Sequence, residues 1–421
     1  MAGHIQDRWF KTETSSTGKT VRVKTDRHGT GMRYRARYVG PDGTEKSKSF
    51  PDGQKRIAER WLSKTETDMN SGDYVDPRQA RTTFQQYAAK WAQSLTSDEN
   101  SGAAVETRLR LYAYPYIGSR PLGSFKPEHI RDWLGELKQA VPNLTHRRLI
   151  FESVSSVMNA ARDDGMLRLN PCRAASVKAP QPVPIRVKPW SAERTFAVRT
   201  GLPERYRAMV DLGAGCGLRQ GEIFGLPLDE VDFLKGWLHV GFQVKQVRSR
   251  LVFAPPKRGK VRDVPLPAEV GKELADHIRR FPPTDVTLPW LTPDGDPVTK
   301  KLLFVAPGGN AVWRDVFNTY AWKPALAAAG VIPKPEKGER HAAAREHGMH
   351  ALRHFYASVL LDAGENIKAL SAYLGHSDPG FTLRVYTHLM PSSEGRTRRA
   401  VDNVFRAAAS HDHGPQTAQA A

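Results

Sequence analysis

The sequence predicts a mainly α-helical protein with small β elements, divided into three domains. Three observations lead there. Apolar residues recur at helical spacing through most of residues 80–175 and 191–408. Strand-like alternation is confined to residues 32–50 and to a β-rich patch from Trp237 to about Leu266. A proline-dense stretch, residues 176–190, separates the two helical regions. At 421 residues the chain is too long for one ordinary core and suits two or three domains.

Residues 1–75 read as a small basic module of sheet plus helix. MRYRARYVGPDGTEKSKSF alternates apolar and basic residues on either side of GPDG, which is a hairpin signal. Arg33, Arg35 and Arg37 lie two apart, so they project from one face of a strand. That face reads either as a surface for a DNA groove or as an ordinary solvated one. The segment after Pro51 reads as a helix closing at Gly72. Residues 80–175 predict a helical domain of four or five helices. Phe84, Tyr87, Ala88, Trp91 and Leu95 fall on one helical face, as do Ile130, Trp133, Leu134 and Leu137. Phe151, Val154, Val157, Met158 and Ala161 mark a third helix ending at Gly165. Their helical spacing assigns these aromatic residues to a core rather than to base stacking. Four prolines in 176–190 exclude helix and make a stiff linker. Residues 191–408 form the largest domain, mixed and mainly α, and 409–421 read as a disordered tail.

Composition narrows the partner. Lys and Arg number 63 against 44 Asp and Glu, for a formal charge of +19 and a pI near 9.9. The basic residues are spread along the whole chain rather than gathered in one amphipathic helix. Nucleic acid is therefore favoured over a membrane surface. Two cysteines, Cys172 and Cys216, make neither a disulfide framework nor a zinc site and suit a reducing cytoplasm. The N-terminus carries no apolar secretory signal, no apolar run approaches a membrane span, and the mean hydropathy is −0.52.

Four short motifs in the last domain carry the chemistry. In GAGCGLRQGE, Arg219 follows a Gly-Cys-Gly turn and opens a helix that continues through Glu222, a position from which a guanidinium can approach a phosphate. FAPPKRGKVRDVPLP reads as a hairpin with Lys257, Arg258 and Lys260 near its tip. A lysine there can enter a groove or give a proton to a leaving alkoxide. In HGMHALRHF, His350 and Arg353 lie three apart on one helix face, an oxyanion-binding pair. His347, His350 and His354 could line one helix as metal ligands. No carboxylate or cysteine completes the set, and Arg353 would repel a dication, so no metal is assigned. In LGHSDPGFTLRVYTH, His376 sits in a turn, Ser377 or Asp378 caps a short helix, and Tyr386 ends it. Each motif is weak alone. Together, two arginines, a lysine, two histidines and a late tyrosine fit phosphodiester transfer. Guanidinium forks match the non-bridging oxygens, and a tyrosine oxygen can conserve the bond energy as a phosphotyrosine ester.

With GLRQGE, the PPK segment before VPLP, HALRH and LGH…Y in this order, the chain resembles the tyrosine recombinases, specifically phage-type and integrative-element integrases. The catalytic resemblance covers about residues 190–407. A core-binding resemblance covers about 80–175, and the N-terminal module looks like an arm-type DNA-binding module. The resemblance implies that Tyr386 attacks the scissile phosphate, leaving a 3′-phosphotyrosyl link and a free 5′-hydroxyl. It implies that Arg219 and Arg353 bind the non-bridging oxygens. Lys257 resembles the general acid, with Lys260 as the alternative. His350 and His376 position the phosphate and assist proton transfer, and Glu222 orients the basic residues. Neither metal nor cofactor is implied. The implied partners are double-stranded DNA attachment sites, further copies of the chain in a tetramer that passes through a Holliday junction, a directionality factor and a DNA-bending protein. A C-terminal helix carrying Val401, Val404 and Phe405 docks on a neighbouring copy or packs on its own. Related readings are a chromosome-dimer resolvase, a type IB-like topoisomerase or telomere resolvase, and a catalytically inactive DNA-binding repressor.

Overall fold

The computed structural model describes residues 3–14, 20–96, 98–182, 188–376 and 378–386, together with Arg398, Val401, Asp402 and Arg406. Ser377, most of the expected C-terminal helix and the 409–421 tail lie outside the described residues. Contacts divide the chain into two compact units, 1–183 and 184–421, at a point inside the proline-dense stretch.

The first unit begins with strands β1 (His4–Asp7), β2 (Phe10–Thr14), β3 (Thr20–Lys24), β4 (Tyr34–Val39) and β5 (Glu45–Phe50), followed by helix α1 (Lys55–Asn70). The GPDG hairpin forms as β4–β5, with Tyr34 opposite Phe50. β1 adds to its other edge, giving the order β1-β4-β5, while β2 and β3 make a separate hairpin. The polar first three strands carry too little apolar alternation to announce themselves in the sequence. Alternation sends Tyr34, Ala36 and Tyr38 inward against Ala58 and Leu62 of α1, and leaves Arg33, Arg35 and Arg37 on the other side. Arg33 is already engaged there by Asp7 (3.0 Å) and Asp52 (2.8 Å), and Arg37 by Glu45 (3.1 Å). Arg35 donates to the Ser47 hydroxyl (2.9 Å).

Helices α2 (Phe84–Gln93), α3 (Glu99–Tyr112), α4 (Tyr114–Ile117), α5 (Pro127–Ala140) and α6 (Leu144–Asp163) complete this unit around a second cluster. Phe84, Trp133 and Val157 are buried in it, and the Trp133 indole donates to the Tyr112 carbonyl (2.8 Å). Thr83 closes the start of α2 in a reciprocal capping box with Gln86. α2 ends at Gln93, so Leu95 follows the helix rather than lying on its face.

The second unit holds α7 (Ala192–Gly201), α8 (Glu204–Gly215), α9 (Gln220–Phe224), β6 (Val231–Asp232), β7 (Trp237–Val240), β8 (Gln243–Val247), β9 (Arg250–Ala254), β10 (Arg262–Pro265) and α10 (Ala268–Arg280). A hairpin of β11 (Thr284–Pro289) and β12 (Pro297–Leu302) follows. Then α11 (Arg314–Phe317) runs through a π-helical turn into α12 (Lys323–Ala328), ahead of α13 (His350–Asp362), α14 (Ile367–Leu374) and α15 (Pro379–Tyr386). α8 lies at the centre, packed against α7, α10 and α13.

The structure departs from the sequence expectation at one hairpin and adds another. FAPPKRGKVRDVPLP is not a hairpin: β9 pairs back with β8, and β10 pairs with β7 in a different sheet. Pro255 and Pro256 offer no N–H to a ladder, and Arg258 and Gly259 take left-handed backbone (φ +64° and +66°), so the chain leaves one sheet and enters another. The β11–β12 hairpin went unread, although its Pro-Asp-Gly turn is the signal that identified β4–β5.

Candidate active site

Arg219 ends the connection from α8 and caps α9 from outside, its backbone N–H donating to Glu222 Oε2 (2.8 Å). The turn before it requires glycine. Gly217 has φ +66°, and a Cβ there would meet the Tyr356 ring at 2.4 Å. Glu222, 1% exposed, binds Arg219 Nη1 (2.8 Å) and both terminal nitrogens of Arg262 on β10 (3.0 and 2.7 Å). Glu222 thus bridges Arg219 and Arg262, and Arg262 is a partner that the sequence reading missed.

All three site arginines converge on the C-terminal end of α14. Arg262 Nε donates to the Tyr373 carbonyl (2.6 Å), and Arg219 Nη2 donates to the carbonyls of Leu374 (3.1 Å) and Gly375 (3.4 Å). Arg353 Nη2 also donates to Leu374 O, while its Nη1 donates to Gly217 O (2.7 Å). A helix C-terminus presents unpaired carbonyls and a partial negative charge, so cations suit it. Gly375 ends α14 in left-handed backbone (φ +61°), and the Arg262 side chain passes 3.1 Å from where a Cβ would stand.

This anchoring sets His376, the next residue. Its Nδ1 lies 2.7 Å from the hydroxyl of Thr382 in α15, which itself accepts from Ser371 Oγ (2.7 Å). Asp378 holds the start of α15 by accepting from the Gly380 N–H (2.8 Å). At the far end of α15, Tyr386 is 2% exposed, and its hydroxyl lies 2.7 Å from Nδ1 of His354. His354, which the sequence offers only as a metal ligand that is then discounted, is a second partner missed there. It stacks edge-on with His350, ring centroids 4.6 Å apart, one turn earlier on α13. The HALRH motif shows the i, i+4 spacing, but Tyr386 is 32 residues away, and only the folded chain brings it alongside.

The electrostatics follow from burial and charge. Burial favours the neutral imidazole, and the nearby cations reinforce it. His350 is held down at about 4 by burial, by His354 and by Arg353, Arg219 and Lys257. Burial and Arg353 also hold His354 at about 4, and burial with Arg353 and Arg219 holds His376 at about 3. Burial pushes Tyr386 up to about 12, although Arg353 and Arg219 pull the other way. For Glu222, burial alone would raise the pKa. The hydrogen bond and charge of Arg262, with the charge and backbone N–H of Arg219, overcome that and hold it at about 2. Lys257 stands on the exposed connection after Pro256, close enough for its charge to act on His350. Arg258 and Lys260 are exposed on the same connection.

Arg219, Glu222, His350, Arg353, His376 and Tyr386 are therefore brought into one cluster with Lys257 at its edge. Arg33, Arg35 and Arg37 belong to the first unit. Among the described residues, no group of three or more His, Cys, Asp or Glu is arranged to hold a metal ion, and no helix is long and apolar enough to cross a membrane. Chemically, three guanidinium groups stand in a buried centre with one carboxylate, which is bonded to Arg219 and Arg262 only. Two positive charges are left over, and the Nε of Arg353 is buried without a hydrogen-bond partner. Such a centre is built for an anion.

Glu222 yields a pH prediction. Its folded pKa lies below its unfolded value of 4.5, so its contribution to stability is fully present above that pH and is lost as pH falls toward 2. Denaturant unfolding of the wild type should lose about 2–4 kcal/mol over that interval through this group. Glu222→Gln should lack this component and be less stable at neutral pH by about 3–5 kcal/mol, because Arg262 would stay buried beside a neutral amide. Equal stability of the two proteins at pH 7 would show that the pairing contributes nothing net.

Comparison with known proteins bears on the same segment. Residues 193–392 match the model of the phage integrase family. The chain is 27% identical to a XerC-like tyrosine recombinase of Caldanaerobacter subterraneus subsp. tengcongensis over 60% of its length and 64% of that protein. It is 24% identical to a putative prophage phiRv2 integrase of Mycobacterium tuberculosis over 91% of its length and 96% of that protein. Among solved structures, an integrase of the Tn1549 transposon in complex with a circular intermediate DNA has the same fold. It aligns at TM-score 0.61 and 20% identity, covering 76% of this chain and 99% of that one. Residues 193–392 are thus a phage integrase family domain, and the protein is an enzyme of the tyrosine recombinase type, which cleaves and rejoins DNA strands.

Proposed function

We propose that the protein is the site-specific recombinase of a phage or integrative mobile element, with Tyr386 as its nucleophile and double-stranded DNA attachment sites as its substrate. The observation that carries this reading is the surplus of two positive charges around Glu222, next to a buried tyrosine hydroxyl. A phosphodiester brings one negative charge to such a centre, and its transition state spreads more over the non-bridging oxygens. Arg219 and Arg353 exchange carbonyl contacts for these oxygens. Tyr386 Oη attacks phosphorus, a 3′-phosphotyrosyl link forms and the 5′-oxygen leaves. Lys257 protonates it, supported by the reach of its charge to His350. His350 and His376 stay neutral and position the phosphate. The bond energy is kept in the phosphotyrosine ester, so resealing needs no nucleotide.

The domain roles belong to the same proposal: an arm-type module in 1–75, a core DNA-binding domain in 80–175, a linker in 176–190 and the catalytic domain in 191–408. The protein works in the cytoplasm as a tetramer through a Holliday junction, with a directionality factor and a DNA-bending protein. The C-terminal helix contributes to assembly.

A randomised library of nicked duplexes tests the chemistry. The wild-type protein should become covalently joined to a subset that survives denaturation, and Tyr386→Phe should capture none while still binding the recovered duplex. Adduct formation by Tyr386→Phe would reassign the nucleophile. On that duplex, Lys257→Ala should cleave about 10²–10⁴-fold more slowly in single turnover, and Lys260→Ala should stay within about threefold. The reverse pattern would make Lys260 the acid. For the N-terminal module, Arg35→Ala should lower the slope of log affinity against log salt by about 1, as one lost phosphate contact requires. An unchanged slope would leave that strand face as a solvated surface.

A further inference from the structure

We propose that His354 is the general base that takes the proton from Tyr386. The inference rests on the reading of Tyr386 as nucleophile. A tyrosine attacks phosphorus well only as its proton departs, and Tyr386 as a residue is only 2% exposed, so bulk water is a poor acceptor for that proton. The proton therefore needs a fixed acceptor. Nδ1 of His354 stands 2.7 Å from Oη, within direct transfer distance, and no other side-chain group among the described residues is hydrogen-bonded to that oxygen. His376 Nδ1 is occupied by Thr382, and His350 faces His354 rather than Tyr386.

The surroundings also fit a base that works only when substrate is present. The charged and titratable groups around His354 are Arg353 and His350 on its own helix and Tyr386 on α15, with Arg219 of the α9 entry acting on Tyr386. Burial and Arg353 keep His354 neutral at physiological pH, so one ring nitrogen carries a lone pair, and the proposal places it on Nδ1, facing Oη. An imidazolium formed beside Arg353 would add a positive charge to a centre that already has two in excess. That opposes proton transfer in the absence of DNA. A phosphate seated between Arg219 and Arg353 removes the opposition, because its negative charge stabilises the imidazolium. The step balances: the Oη–H bond breaks with its proton going to Nδ1, the Oη–P bond forms, and the P–O5′ bond breaks with a proton supplied to O5′ by Lys257. On resealing the order reverses, and Nδ1 returns its proton to Oη.

The test uses the full-length protein and the duplex recovered by covalent capture. His354→Gln fills similar space and can still hydrogen-bond Oη, yet it cannot take up a proton. It should bind the duplex as the wild type does and melt at a similar temperature. Its single-turnover adduct formation should be about 10²–10⁴-fold slower near neutrality, recovering in proportion to hydroxide from about pH 6 to about pH 9, where the wild type is nearly flat. A wild-type rate and profile in His354→Gln, with the adduct still on Tyr386, overturns the base assignment alone. A slow variant with no alkaline recovery overturns it too, in favour of a purely packing role. Absence of any wild-type adduct overturns the Tyr386 reading instead. Should His354→Gln fail to fold, ¹⁵N spectra of histidine-labelled wild-type protein decide. His354 Nδ1 is expected to be an unprotonated acceptor whose signal moves in Tyr386→Phe, and a protonated Nδ1 overturns the proposal.

Discussion

Glu222 carries its charge where solvent scarcely reaches, and the position of nearly every other site residue depends on it. An isolated buried carboxylate would be costly by several kcal/mol, so its two arginine partners are held as firmly as it is. Those arginines do not stop at the carboxylate. Each reaches on to the last carbonyls of α14, and Arg353 joins them there. The C-terminus of a helix, an acidic residue on a short helix and a strand from a separate sheet are thereby tied at one point. The turn that carries His376 leaves from that point, and α15 with Tyr386 follows within a few residues.

The same arrangement explains why the centre is closed. Without DNA, the guanidinium groups have only backbone carbonyls and one carboxylate to satisfy them. The result is a compact knot in which Arg353 is 1% exposed and one of its N–H groups has no partner. Carbonyl contacts are weaker partners for a guanidinium than an anionic oxygen, so they are the ones a phosphate can displace. Opening for substrate must break bonds to Leu374 and Gly375, whose turn also sets the position of His376. Phosphate entry and the alignment of α15 are therefore mechanically linked in the proposed reaction.

Much of this was legible in the sequence, and the boundary of legibility has physical causes. Helical period exposed the core faces of α2, α5 and α6, since a face buried against one neighbour needs that spacing. Arg219, His350, Arg353, His376 and Tyr386 were found because each sits in a short local motif at a helix end or turn. Arg262 and His354 were not assigned their roles because those are defined by partners 40 and 32 residues away, a separation that no local pattern encodes. The expected hairpin around Lys257 failed for a related reason. Two strands flanking a turn pair locally only when no better edge is available, and here β8 and β7 each offer one.

Burial in a cationic site governs the acid–base chemistry of its histidines and tyrosine. Three histidines stand near the arginines, and burial with positive charge keeps all of them neutral far below physiological pH. The tyrosine is held protonated by the same burial. Neither state is reactive alone: a protonated phenol is a poor nucleophile, and a neutral imidazole beside an arginine resists taking a proton. In the proposed reaction both change in the favourable direction when a phosphate enters. Its charge raises the affinity of His354 for a proton, and loss of the hydroxyl proton is assisted by the guanidinium groups that the phosphate has drawn from their carbonyls. In the proposed reaction, an enzyme that must not cut DNA at random gains from such coupling, because the substrate itself supplies the charge that makes Tyr386 competent.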